Sequence, residues 1–563
     1  MRLGGKRMFW LAVLLLGPAL AARAQQRGVD SITAEDLRTH LCVIASDESQ
    51  GRDTPSTALN MVSRYLATMA ERVGCKPLMP EGSFFQYLPL EVTAVSESKS
   101  RLRVVSEAAD ECFYFPQSFG GSFRASSFWG GELVFVGFGL KAPGKEWEDY
   151  TDPQVSGKAV VVLDGELPAG HALRTDEATL AARVAALRRS GAGLVLTVIH
   201  REREKEMLAR GASFQRMSSV AMLGSYPTQK QATPADVAKR QTPAAKPQPQ
   251  PKPTPDPRRR EAAARYRPVA GTVELRHAAA ARILDGSQEE LEAMFASLAR
   301  GQQPPKITLR KRIELSLVTE THKDSSPNVL ALMEGSDPVL KNEYVTLTAH
   351  HDHLGMRDGR PMNGADDDGS GTVALLEIAQ ALSVERPKRS VILAWVAGEE
   401  KGLWGSHYFV NHCPVPLEKI SAELNLDMIC RNDPDHLFVI ASNCLSTELD
   451  ASIRQQNDAH TRFRLDYTYS DRAHPDRFYY RSDHYPFLRV GIPAAFLFCG
   501  TTPDYHTPND TIDRADFQKM EKAARLAYLV VCDVGNRPQL LKLDVNSEVK
   551  TRGMHNVAVE STR

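Results

Sequence analysis

Two kinds of apolar pattern alternate along the C-terminal half of the chain. Short apolar runs bounded by turn residues occur at "EYVTLTAH", "RSVILAWVAGEE", "SAELNLDMI", "HLFVIAS" and "IPAAFLFCG". Between and after them, "SGTVALLEIAQAL" and "QKMEKAARLAYLVVCDVG" repeat apolar residues at helical spacing. The first kind predicts strands and the second helices. Strands alternating with helices predict an α/β fold: a mixed, largely parallel sheet flanked by helices. Near the N-terminus, "DSITAEDLRTHLCVIASDESQGRD" predicts a helix starting at about Ser31, with Leu37, Leu41 and Ile44 on one face. "STALNMVSRYLATMAERVG" predicts a second helix, ended by Gly74.

The texture changes from about Gly120. "GELVFVGFGL" and "GKAVVVLDGEL" are β-rich, and "DEATLAARVAALRRSGAGLVLTVIH" reads as helix, glycine break and strand. A β-rich insert over residues 119–305 is expected, dividing a main domain of residues 25–118 and 306–545 and followed by a tail at 546–563. Inside the insert, Tyr226 to Pro268 includes "PAAKPQPQPKPTPDPRRREAAARYRP". So little apolar surface cannot fold on its own, and an exposed, disordered segment is expected.

The first residues read as a leader. Arg2, Lys6 and Arg7 precede the apolar run "MFWLAVLLLGPAL", and Ala22–Ala24 supplies small residues at a cleavage site. Residues 1–24 are therefore expected to be a signal peptide, and the protein to be exported, either periplasmic or secreted. The apolar run is too short for a bilayer span of about 20 residues, and no other stretch suffices. No stable membrane insertion is expected after signal removal.

Composition narrows the picture further. Hydrophobic residues make up 42% and charged residues 25% of the 563, the balance of a globular chain. Lys+Arg and Asp+Glu are both 69, so a dedicated nucleic-acid binder is excluded. Eight cysteines occur without any C-x-x-C spacing, which excludes a zinc ribbon or thioredoxin-like motif. Disulfides and buried thiols both remain open.

Candidate chemistry collects at strand ends, where open α/β sheets place their sites. "TAHHDHLG" holds His350, His351, Asp352 and His353. "NGADDDGSG" sets Asp366, Asp367 and Asp368 in a glycine-rich turn before a helix. One carboxylate suffices for a helix cap, whereas three repel one another and invite a cation. "AGEEKGLWGS" offers Glu399 and Glu400, of which one can bind a metal while the other acts as a base. Asp427 and His506 complete the set. Side chains alternate along a strand, so His350 and Asp352 should share a face. His351 should face elsewhere, and His353 should be a wall or structural residue.

These motifs, with "HLCVIASDESQGRD", "LNLDMI", "RSDHYPF" and "DYHTPND", resemble the M28 family of zinc peptidases over residues 30–118 and 313–540. The stretches "GFGLKAP…DYTDPQVSGKAVVVLDGEL" and "GAGLVLTVI" resemble the protease-associated (PA) domain often inserted in that family. The resemblance implies an aminopeptidase acting on peptides with two Zn2+ per chain. It implies metal ligands His350, Asp366, Glu400, Asp427 and His506, with Asp366 bridging. It further implies Glu399 as general base and Tyr505 as a donor to the tetrahedral oxyanion, while the shared face of His350 and Asp352 makes Asp352 the expected acceptor of the second imidazole N–H that orients His350. Glutaminyl cyclases, which share this fold and use one zinc, are the alternative enzyme class. A non-catalytic receptor relative is the alternative outside enzymes.

Overall fold

The computed structural model describes residues 26–121, 126–141, 147–175, 178–209, 217–223, 272–357, 359–546, 549 and 551–554. The expected leader and the Pro-rich segment Tyr226 to Pro268 lie outside the described residues.

The large sheet takes its strands from both ends of the chain. They are β1 (Phe85–Val95), β2 (Met217–Met222), β3 (Thr319–Met333), β4 (Tyr344–His350), β5 (Ser390–Val396), β6 (Ile420–Leu426), β7 (His436–Ile440), β8 (Arg464–Asp466) and β9 (Ala494–Phe498). Their order is β8-β7-β9-β6-β4-β5-β3-β1-β2. The central strands β5, β4, β6 and β9 run parallel, and β3 and β7 flank them antiparallel. This is the mixed α/β architecture expected. Every residue of β5 and β6 is buried, the mark of strands covered on both faces.

Helices supply the cover. The helix α1 (Ala34–Ile44) buries Leu37, Leu41 and Ile44, as its spacing predicts. Its cap is Thr33 rather than Ser31; the Thr33 hydroxyl accepts the Asp36 N–H at 3.1 Å. α2 (Thr57–Arg72) ends just before Gly74. α3 (Gly371–Val384) and the long α4 (Phe517–Asn536) pack on the sheet and on one another. Gly371 opens α3 against the end of β6, where a Cβ would lie 2.0 Å from the Leu426 carbonyl oxygen. Only glycine lets the helix start that close to the strand.

A second, eight-stranded sheet has its own core, built around Phe113, Phe119, Leu196 and Leu315. Its membership differs from the expected insert of residues 119–305. Strands Arg101–Val105, Asp110–Tyr114 and Arg312–Leu317 belong to it although they lie outside those bounds. β2 lies inside the bounds yet pairs with β1 of the large sheet. The chain changes sheet between Val95 and Arg101, and again between Leu317 and Thr319. The physical reason is pairing: β1 and β3 form one antiparallel ribbon from Phe85↔Val329 to Val95↔Thr319, so each sheet begins where that ribbon ends.

All eight cysteines are free thiols. Among the described residues, no helix is long and apolar enough to cross a membrane.

Candidate metal centre

The C-terminal edge of the parallel strands positions the candidate residues. His350 is the last residue of β4 and lies in register with Val396, the last of β5. Glu399 and Glu400 follow three and four residues later, and Asp427 directly follows β6. His506 lies beyond β9, with a backbone φ of +57°. Two groups of side chains offer converging ligand atoms, His350–Asp367–Asp427 and His353–Asp367–Glu400.

The carboxylate common to both groups is Asp367, which corrects the expectation of Asp366. One Asp367 oxygen lies 3.1 Å from His350 Nε2, and the other lies 3.1 Å from His506 Nε2. The three aspartates of the turn point three ways. Asp366 turns inward, where its Oδ1 accepts the Cys430 N–H at 3.0 Å and the Cys430 thiol at 3.1 Å. Asp368 accepts the backbone N–H groups of His350, Gly371 and Met428 at 3.1, 2.9 and 3.2 Å. Asp367 alone is left to face the histidines.

His350 is buried, with Nε2 3.6 Å from Asp427 Oδ1. Its Nδ1 lies 3.0 Å from the backbone oxygen of Asp352 and 3.7 Å from that residue's carboxylate. Asp352 therefore orients His350 mainly through its carbonyl. Its carboxylate instead accepts the Thr54 hydroxyl at 3.0 Å and the Glu399 N–H at 3.2 Å. Asp427 Oδ2 accepts the Ser482 hydroxyl at 2.6 Å, and Asn425 donates to Ser482 at 2.7 Å. Asp427 Oδ1 is buried without a partner.

Glu400 and His506 meet at the outer side of Asp367. His506 Nε2 is 3.3 Å from Glu400 Oε2. Burial lowers the His506 pKa, but Asp367 and Glu400 more than offset it and hold the ring up at about 10. Burial raises Glu399 well above the usual carboxylate range against the pull of His350. The Tyr505 ring stacks on His506 at 3.8 Å between centroids, and its hydroxyl accepts from Arg481 Nη2 at 3.2 Å. Burial keeps the phenol protonated by raising its pKa.

His351 turns away from this centre, as strand alternation predicts. Its Nδ1 meets the Val396 carbonyl at 2.9 Å and its Nε2 the Ser63 hydroxyl at 2.9 Å. His353 is buried beside the centre, with its Nδ1 2.8 Å from Glu400 Oε1.

Two further residues hold the centre together. Arg52, fully buried, donates to the carbonyls of His351, Asn363 and Gly364 at 3.0, 2.6 and 3.0 Å. Asp510 accepts the N–H groups of Asp366 and Asp367. Both stand in motifs noted above, "SQGRD" and "HTPND", but their spacing alone assigns them no partner.

The donors suit zinc, which takes imidazole nitrogen and carboxylate oxygen. The unpartnered buried atoms Asp427 Oδ1, Glu400 Oε1 and both nitrogens of His353 belong to residues of these two groups. A cation would satisfy them.

Several known proteins are similar to this chain. A probable leucine aminopeptidase 2 of Aspergillus oryzae is 32% identical over 208 residues, 36% of this chain and 40% of that protein. Aminopeptidase YwaD of Bacillus subtilis is 27% identical over 255 residues, 43% of this chain and 52% of that protein. The chain thus spans about half the length of such relatives. The structure of BSAP, a zinc aminopeptidase from Bacillus subtilis, aligns over 92% of this chain and 99% of that one, at 17% identity and a TM-score of 0.47. The model of peptidase family M28 matches residues 328–531, the stretch that carries His350, Asp367, Glu400, Asp427 and His506.

Proposed function

We propose that the protein is a di-zinc aminopeptidase that removes N-terminal residues from peptides. One observation carries the reading: Asp367 turns one oxygen to His350 and the other to His506, each at 3.1 Å. A carboxylate with imidazoles on both oxygens can be shared by two cations. His350 and Asp427 would hold one, and Glu400 and His506 the other. The names of the relatives, leucine aminopeptidase and aminopeptidase, support the substrate class.

Zinc held by these residues would supply Lewis acidity, to lower the pKa of a bound water and polarise the scissile carbonyl. The chain's own residues do the rest. Glu399 accepts the proton of the attacking water and returns it to the leaving amine. Asp352 fixes the Glu399 backbone through its carboxylate and the His350 ring through its carbonyl. Arg481 donates to the Tyr505 oxygen, which leaves the phenolic proton free for the oxyanion of the substrate. The features of residues 1–24 extend the reading to an exported enzyme, and the small sheet is read as a PA-like unit.

The test is hydrolysis of a panel of free and N-blocked aminoacyl substrates, with and without a chelator, alongside zinc analysis. Chelator-sensitive cleavage confined to free amines, with two zincs per chain, is expected. No such cleavage of any free-amine substrate would sink the reading. A single zinc would sink its two-metal part.

A further inference from the structure

We propose that His353 is a ligand of the same cation as Glu400, Asp367 and His506, so that this position takes two imidazoles. The proposal rests on the two-metal reading above. It adds a residue to one of the two positions and makes them unequal.

His353 is fully buried, and neither of its ring nitrogens has a hydrogen-bond partner. Buried imidazoles are ordinarily satisfied, since an orphaned polar group costs as much as a lost hydrogen bond. The ring is nevertheless close to acceptors. Nδ1 lies 2.8 Å from Glu400 Oε1 and 3.8 Å from Asp367 Oδ2. Glu400 Oε1 is itself without a hydrogen bond. Two polar atoms so close without a hydrogen bond between them can both serve a common third atom. Ligand atoms each about 2.0–2.2 Å from one zinc stand at such separations.

His506 approaches the same pair of carboxylates from another side, at 3.1 Å from Asp367 Oδ2 and 3.3 Å from Glu400 Oε2. The two rings meet edge to face, with centroids 5.8 Å apart and planes at 70°. Two imidazoles therefore approach the same two carboxylates, His353 by Glu400 Oε1 and His506 by Glu400 Oε2, with Asp367 Oδ2 near both. The His353 ring is also fixed there. Its backbone N–H donates to the Arg52 carbonyl at 3.1 Å. At Gly364, where φ is +54°, a Cβ would lie 2.6 Å from His353 Cγ and Cδ2. That glycine leaves room for the ring to lie flat against the backbone.

The other role for His353 is donation to Glu400 without touching the cation. The two roles differ in what a paramagnetic metal reports. The full-length protein is stripped with chelator and reloaded with Co2+, and hyperfine-shifted exchangeable imidazole N–H resonances are counted and assigned by 15N-histidine labelling. Three shifted N–H groups, from His350, His353 and His506, are expected in the unsubstituted protein. Two, without His353, would overturn the proposal, and this holds even if no variant folds. In His353→Gln and His353→Asn, one shifted resonance should disappear. One cobalt equivalent should weaken by on the order of 100-fold, the upper end of what losing a mere orienting partner does. Asparagine can still donate to Glu400, so affinity and spectrum unchanged in His353→Asn would also overturn the proposal. If the unsubstituted protein binds no more than one cobalt, the two-metal reading has failed instead.

Discussion

The carboxylate of Asp510 accepts the backbone N–H of Asp367 at 3.1 Å. It also accepts the Asp366 N–H, at 3.1 Å to each of its oxygens. Asp510 lies four residues beyond His506, so one side chain ties the loop bearing that imidazole to the turn bearing the shared carboxylate. Substituting it with alanine leaves two buried amide donors unsatisfied, a loss of about 1–3 kcal/mol for each. Asp510→Ala should lower the denaturant midpoint of the metal-free protein and weaken zinc binding by on the order of 10–100-fold, as loss of a ligand-orienting group does. Competition with a chelating dye measures the second effect. A variant destabilised but binding zinc normally would show that the tie serves folding only.

The three aspartates of the turn make a sharper contrast. Asp366 sits beside Cys430, and burial, then the nearby Asp510 charge, raises its carboxyl above the usual range. A neutral amide there should be tolerated, so Asp366→Asn should keep both zincs and near-normal turnover. Asp367→Asn removes the shared charge. It should lose one zinc and lower kcat/KM by at least about 100-fold. The reverse ranking would restore Asp366 as the bridging residue.

That contrast also marks how far the sequence could be read. The strands and their order of chemistry were legible because apolar runs of buried parallel strands end abruptly at polar residues. His350, Asp427 and Glu400 stand within four residues of such an end. Asp367 was not legible, because three adjacent aspartates are chemically alike and only the turn's dihedrals separate their directions. The position of His353 was not legible for a different reason. Strand alternation does not extend to His353, where the path is set by Arg52, which donates to the His351 carbonyl 299 residues away and accepts the His353 N–H. No local periodicity encodes a contact of that range. The sheet boundaries failed similarly, since the pairing of β1 with β3 joins segments that the expected insert separates.

His351 gives a prediction about acid stability. Burial pushes its pKa down to about 4, against the pull of Asp352. The unfolded chain binds that proton near pH 6.5, so its folded pKa is depressed. Its contribution is then fully present above pH 6.5 and is lost as pH falls from 6.5 toward 4, on the order of 3 kcal/mol in all. The Ser63 hydroxyl and Val396 carbonyl hold the neutral ring. Urea denaturation of the metal-free protein at pH 7 and pH 5 should show a smaller acid loss in His351→Gln than in the unsubstituted protein. Equal slopes would mean that this ring stays neutral in both states or charged in both.

Glu399 separates catalysis from metal binding. Its neighbour Glu400 turns to His506 at 3.3 Å, while its own N–H is held by Asp352 at 3.2 Å. Burial makes its carboxylate costly to ionise, with Glu400, Asp483 and Asp427 adding to that effect and His350 opposing it. A carboxylate of raised pKa is a stronger base, suited to taking a proton from water near neutral pH. Glutamine has the same shape and no basicity. Glu399→Gln should therefore keep both zincs and leave KM little changed, while kcat falls by on the order of 10²–10⁴-fold. Steady-state kinetics on a free-amine substrate, paired with metal analysis of the same preparation, measures both quantities. Full turnover in Glu399→Gln would assign the proton transfer to another group. A loss of zinc together with activity would make Glu399 a holder of the metal rather than its base.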